Sequence, residues 1–446
     1  MMRHLIPLFT FLLICINPET SFPQPAFPGA EGFGANSIGG RGGIVFQVTN
    51  LNDDGPGSLR AAVEAKCPRV VVFSVSGTIA LKSILTISNP YITIAGQTAP
   101  GGGICLKDNE LEIKADHVIV RYIRSRAGDN VSNENHGFNV TAGKNIIIDH
   151  CSASWAVDEV LSVTTSGELS NVTIQWCMIT ESLHNSVHWK GPHGKGSLIR
   201  GSWGAKYSFH HNLYAHHNER NPAMGNYNDY DTDPDGLTFD FCNNVVYNWE
   251  KSPMGHSAGA RGKTEINLTR NYYKSGPNSK GSYIWRGEVT HSRAFISKNF
   301  MNGEYPKDPW SLVTFTNDFS ESQKKAFKLP TPVKVAFIKM DDSKTVYEHV
   351  LAGAGATLPQ RDAVDTRIVN EVINGTGRII DSEEEVGGWP ELKSTDPPKD
   401  SDRDGIPDEW EKVHGLNPDD YFDTRGKNLS PEGYTNIEVY LNELVP

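Results

Sequence analysis

The chain is poor in the features that mark the commonest enzyme sites. It has six cysteines in 446 residues and no CxxC pair, which excludes a cysteine zinc site. No HExxH occurs, so zincin chemistry is excluded, and α/β-hydrolase chemistry is set aside with it. Positive charge is scarce: 42 Lys and Arg stand against 53 Asp and Glu, a formal net charge of −11. That balance argues against a general nucleic-acid binder. It also makes an acidic polymer an awkward ligand unless local cations intervene. Beyond the first 16 residues no apolar run approaches a membrane span. The opening run, Leu5 to Ile16 after an early Arg3, is too short to span and reads as an export signal over residues 1–22. A secreted protein, extracellular or periplasmic, is expected.

What the chain has in quantity is one repeated pattern: an aliphatic or aromatic residue, two variable residues, then a polar or sulfur side chain. The segments end at Gln97, Ile123, Cys151, Cys177, Asn212, Asn244, Asn271 and Asn299, at intervals of 26, 28, 26, 35, 32, 27 and 28 residues; Ile123 breaks the chemical type while keeping the spacing. A period of this length, built from β-branched runs and Gly/Asn corners, predicts an all-β parallel solenoid whose coils each add strands to the coil below. The recurring Asn is expected to be scaffold, its amides bonded along the solenoid axis. Cys151 and Cys177 hold the same repeat position in adjacent coils, about 4.8 Å apart. That spacing allows either a disulfide or a stack of free thiols. Ser58 before LRAAVEA predicts a short capped helix that plugs the open first coil. The glycine-rich FPGAEGFGANSIGGRGG is expected to be close-packed backbone. The expected organisation is signal 1–22, β-solenoid 23–323, helical wrapping or capping segment 324–385, and linker plus compact tail 386–446.

Three constellations carry chemistry. In the tail, Asp400, Asp402, Asp404, Gly405, Ile406 and Glu411 fit D-x-D-x-D-G-x5-E. Three short carboxylates, an Ile406 carbonyl and a bidentate Glu411 suit a structural calcium. In the solenoid, the turn His216-His-Asn-Glu-Arg220-Asn-Pro222 could project Arg220 over a groove. Aligning Asp158-Glu159 with the preceding coil stacks Asn135 under Asp158 and His136 under Glu159, so adjacent acids could hold a hard cation. His184, His188, Lys190 and His193 come from the next coil's loop.

With Arg220 in place, the chain resembles the pectate lyase family, and is most similar to its secreted branch with an EF-hand-like segment. The blocks FPGAEGFGANSIGGRGG, TNLNDDGPGSLRAAV, GQTAPGGGI, VIVRYIR, IDHCSASWAVDE, ERNP and NNVVYNW carry the likeness in order over most of the chain. The resemblance implies a right-handed parallel β-helix and β-elimination on polygalacturonate by a monomer. It implies Arg220 as base and Asp158 as a calcium ligand of the cleft. Three positions depart from the family: His136 and Ser162 stand where acidic ligands are usual, and Gly225 replaces a second arginine. Cleft calcium would then bind with the substrate's carboxylates, or with Asp129 and Glu159. His188, Lys190 and Arg261 are the expected substrate contacts. The rival readings are a polygalacturonase-like hydrolase using Asp158 with Asp149, and a non-catalytic polysaccharide-binding β-helix.

Overall fold

The computed structural model describes residues 24–446 apart from 132, 133, 166, 282 and 318; the expected signal lies outside the described residues. The β-branched runs form short strands that stack in parallel, giving a β-solenoid of about ten coils with three faces. Ten strands from Ile44–Val48 to Ser292–Ser297 build the first face, and nine from Gly77–Ala80 to Phe300–Met301 build the second. The third face carries Leu111–Lys114, the start of Phe138–Asp149, Leu161–Thr164, Leu198–Arg200, Ala223–Gly225 and Gly255–His256.

Register is unbroken along the first face. Val71, Ile94, Val120, Ile148, Ile174, Phe209, Phe241, Leu268 and Ile296 lie one above another and point into the core. Burying each of these side chains stabilises the fold by about 1.5–3 kcal/mol.

The repeat position sits at the corner after each first-face strand. The residue before it takes a left-handed φ: Tyr122, His150, Trp176, His211, Asn243, Arg270 and Lys298 lie between 49° and 57°. This conformation is costly for residues with a Cβ, and the stacking of Tyr122, His150, Trp176 and His211 at ring separations of 5.0, 5.8 and 4.4 Å helps offset it. Beside this ring stack runs the amide ladder. Asn212 donates to Asn244 at 3.0 Å, Asn244 to Asn271 at 3.1 Å and Asn271 to Asn299 at 3.0 Å, all buried. Each amide oxygen also accepts the backbone N–H of the coil before it. The ladder is architecture, as expected. Cys151 and Cys177 are free thiols whose sulfurs point at backbone carbonyls.

Ser58 caps the helix Leu59–Glu64, whose Leu59, Ala62 and Val63 enter the core at the first coils. The glycine-rich segment crosses the outside of the first face. The Gly34 N–H donates to Thr173 at 2.8 Å, and a Cβ there would meet the Ile146 carbonyl at 2.2 Å. The helices Thr345–Gly353 and Ala363–Asn374 lay Val346, Val350, Val364, Ile368 and Val372 on the second face, against Trp155, Met178, Leu213 and Tyr247. The tail folds back to the start of the solenoid, where Ile406, Ile437, Tyr440 and Leu441 cover Val45, Val70 and Val72. No described helix is long and apolar enough to cross a membrane.

The Asn244→Ala variant strands buried groups in three coils at once. It should unfold at lower denaturant, with a loss of about 1–3 kcal/mol or more. Equilibrium unfolding in urea checks this.

Candidate active site and tail cation cluster

One row of charged residues lies just beyond the third-face strands, where the parallel register brings residues of successive coils together. Phe138 pairs with Leu161, which sets Asn135 beneath Asp158 and His136 beneath Glu159 as expected. The Asp158 N–H donates to the Asn135 carbonyl at 3.2 Å, and Asn135 Oδ1 accepts the Val157 N–H at 3.0 Å. Bridges from Glu159 to Lys195 and from Lys195 to Glu219 continue the row, which brings Arg220 two coils above Glu159.

A buried chain of alternating charge results. Glu110 Oε2 lies 2.8 Å from His136 Nδ1, and His136 Nε2 lies 3.3 Å from Glu159. The other Glu159 oxygen is paired with Arg220 Nη1. Burial alone would lower the His136 pKa, but its bonds to Glu110 and Glu159 outweigh that and raise it to about 10. His136 is therefore an imidazolium. Lys195 and Glu219 form a second pair, and Lys251 reaches Glu219 at 3.5 Å. Burial lowers the Lys195 pKa, against its pairing with Glu219.

Asp158 faces two histidines. Its Oδ1 is 2.9 Å from His193 Nε2 and its Oδ2 is 3.9 Å from His188 Nε2. Burial would raise its pKa, but the His193 bond and the His136 charge hold it well below the usual carboxylate range. The His188 and His193 rings stack at 3.9 Å. The Lys190 N–H donates to His188 Nδ1 at 3.1 Å. Neutral His188 thus keeps its own proton on Nε2, facing Asp158, and a metal there would have to displace it.

Several expectations need correction. Glu159, expected as a cleft metal ligand, has its oxygens facing His136 and Arg220, so a cation there would have to displace them. Asp129 is not gathered with the acids of the cleft; it accepts from Ser186 Oγ at 3.1 Å and lies near Glu383. Asp158 and Glu159 lie together with His136, and Asp158 again with His188 and His193; carboxylates interleaved with imidazoles are a poor calcium set by themselves. Arg261 lies on an exposed loop, ion-paired with Asp229 at 2.8 Å. Lys190 is exposed and sits 4.6 Å over the Trp189 ring. Asp149 is buried between Arg121 at 2.7 Å and His150 at 2.8 Å, so it is not a catalytic partner for Asp158. The chain does contain one GxSxG match, Gly255-His-Ser257-Ala-Gly259. Ser257 bonds to the Tyr227 hydroxyl at 2.8 Å and His256 to Ser292 at 2.9 Å, with no strand-to-helix elbow. It makes no nucleophile.

Beside Arg220 opens a groove of about 310 Å³, lined by Glu219, Lys251, His256, Tyr283, Arg286 and Glu288. Arg220, Lys251 and Arg286 supply the local cations that the acidic chain otherwise lacks. Sequence reasoning missed Glu110, Lys195, Glu219 and Arg286. The coil register carried one coil back points to Glu110, but the long loops hide the others.

In the tail, Asp400, Asp402 and Asp404 converge, and Asp404 converges again with Glu411 and Asp423. Asp402 Oδ2, Asp404 Oδ2 and both Glu411 oxygens are buried without a hydrogen-bond partner. Burial, then neighbouring acids, push Asp402 up to about 6, Asp404 to about 8 and Glu411 to about 7. Buried carboxylates with free oxygens and a glycine at Gly405 with φ 94° are what a cation cradle requires.

No family model matches the chain. It is 37% identical to the probable pectate lyase C of Aspergillus flavus, over 94% of both chains. To the probable pectate lyase C of Aspergillus terreus it is 36% identical, over 100% of this chain and 99% of that one. Among solved structures, a pectate lyase bound to a hexasaccharide superposes with a TM-score of 0.50 at 14% identity, covering 75% of this chain and 99% of that one.

Acids with raised folded pKa values favour the protonated folded state, so their contribution to stability is lost as pH rises through those values. In chelator, the melting temperature should fall between about pH 5 and about pH 8, the range set by Asp402, Asp404 and Glu411. Calcium, which binds the ionised form, should remove or reverse that fall. Thermal scans at the two pH values, with calcium and with chelator, check this.

Proposed function

Since the chain belongs to the pectate lyase family of polysaccharide lyases, we propose that it cleaves α-1,4-linked galacturonan by β-elimination with Arg220 as the base. The observation that carries this reading is the placement of Arg220. Its guanidinium is anchored by Glu159 at the head of the buried Glu110–His136–Glu159 chain and borders the groove that holds Lys251 and Arg286.

The chemistry follows from charge. Removing the C5 proton of a uronate places negative charge on the adjacent carboxylate, and fixed cations beside it stabilise that charge. Lys251 and Arg286 stand where they can pair with uronate carboxylates, and Lys190 and His188 border Asp158 farther along the face. Arg220, in its neutral form, takes the C5 proton. The C4–O bond breaks as the C4–C5 double bond forms, the departing oxygen takes a proton from water, and an unsaturated oligogalacturonide leaves. A guanidinium is ordinarily protonated. Hydrolysis would need two carboxylates set across the scissile bond. Glu159 is ion-paired with Arg220, and Asp158 faces His193 and His188.

Calcium is assigned to the tail, where Asp400, Asp402, Asp404, Glu411 and the Ile406 carbonyl would hold it. There it would supply charge balance and a rigid loop. No step of the reaction is routed through a cleft metal. Residues 1–22 are assigned as an export signal, in keeping with a polymer substrate outside the cell.

On polygalacturonate, the purified enzyme should raise the ultraviolet absorbance of a C4–C5 double bond in step with new reducing ends. Reducing ends without that absorbance would mean hydrolysis, and retention on pectate without either would mean binding alone. Arg220→Ala should lower kcat by about 100-fold or more; unchanged kcat removes Arg220 as the base.

A further inference from the structure

The tail's acidic cluster includes a carboxylate from outside the twelve-residue loop. Asp423 opens the short turn Asp423–Arg425, well beyond Glu411. Its Oδ2 accepts the Asn417 N–H at 2.8 Å, while its Oδ1 has no partner. One oxygen each from Asp404, Glu411 and Asp423 fall within 4.8 Å of one another. Asp404 and Glu411 are both 0% exposed, and Asp404 Oδ2 and both Glu411 oxygens lack any donor. Among the described residues, none of these three acids is in an ion pair. Carboxylates removed from water at this spacing repel one another, and a cation among them relieves both the repulsion and the lost hydration.

We propose that Asp423 is a ligand of the tail cation, so that the site is closed by a second segment and is not a self-contained loop. This rests on the assignment of a cation to the tail. The consequence is mechanical. Thr424 Oγ1 donates to the Asp404 carbonyl at 3.3 Å, and Asn436 Nδ2 donates to the Asp423 carbonyl at 2.8 Å. Asn436 begins the helix Asn436–Glu443, whose Ile437, Tyr440 and Leu441 seat the tail on Val45, Val70 and Val72. The cation thereby ties the loop to the helix that docks on the first coils.

Calcium titration of the full chain by calorimetry tests this, comparing wild type with Asp404→Asn, Asp423→Asn and the exposed control Asp419→Asn. The expected result is loss of the tail site in Asp404→Asn, at least a tenfold weaker Kd in Asp423→Asn, and no change in Asp419→Asn. An asparagine at 423 still accepts the Asn417 N–H and removes a repelling charge. Asp423→Asn should therefore melt no lower than wild type in chelator. Wild-type affinity in Asp423→Asn overturns the proposal while leaving the tail cation in place. A lower melting temperature in chelator also overturns it, because Asp423 would then serve the fold alone. No calcium uptake in wild type, or uptake unchanged in Asp404→Asn, removes the tail cation and this proposal together.

Discussion

The constraint on which everything else depends is the unbroken parallel register between coils. Each coil hydrogen-bonds to the next, so a residue fixed in one coil fixes its neighbours above and below. The buried Asn ladder at 212, 244, 271 and 299 locks the corner of four successive coils by bonding both side chain and backbone of the coil before. The inward stack from Val71 to Ile296 supplies the apolar free energy, and the amide ladder makes a slip of one residue costly. A slipped coil would bury polar side chains in that stack and expose its apolar ones.

The charged row on the third face is a by-product of the same constraint. Glu110, His136, Glu159 and Arg220 come from four separate stretches of the chain, yet they form one alternating line of charge. None would be stable alone at that depth. Burial penalises each ion, and the opposite charge in the neighbouring coil offsets the penalty. The row therefore depends on register more than the register depends on the row. This explains how an acidic chain can present a cationic guanidinium beside a groove.

How much of this was legible in the sequence varied with distance from the repeat. The period from Gln97 to Asn299 predicted the solenoid, and the one-coil alignment predicted His136 beneath Glu159, because the stretch from Asn135 to Glu159 follows a regular coil. The intervals of 35 and 32 residues hold long loops, and there the ruler lost Lys195, Glu219 and their pairing. The spacing also could not say that Glu159 is already spent on His136 and Arg220, since two acids in a row read the same whether they face a cation or an imidazolium. The clustering of acids from Asp400 to Glu411 was legible because those residues are local in sequence. Asp423 was not, because only the folding of the tail brings it near. The seat of the tail on Val45, Val70 and Val72 was invisible because these valines read as ordinary strand residues.

With Arg220 as the proposed base, the register of the third face would hold the proton acceptor over the polymer. The most direct measurement is a crystal structure of the Arg220→Ala variant with a galacturonate oligomer. The oligomer is expected in the groove between Glu219 and Arg286, carboxylates toward Lys251 and Arg286, with a C5 hydrogen aimed at the space the guanidinium leaves. An oligomer bound on another face, or in the groove with C5 turned away from residue 220, would contradict it.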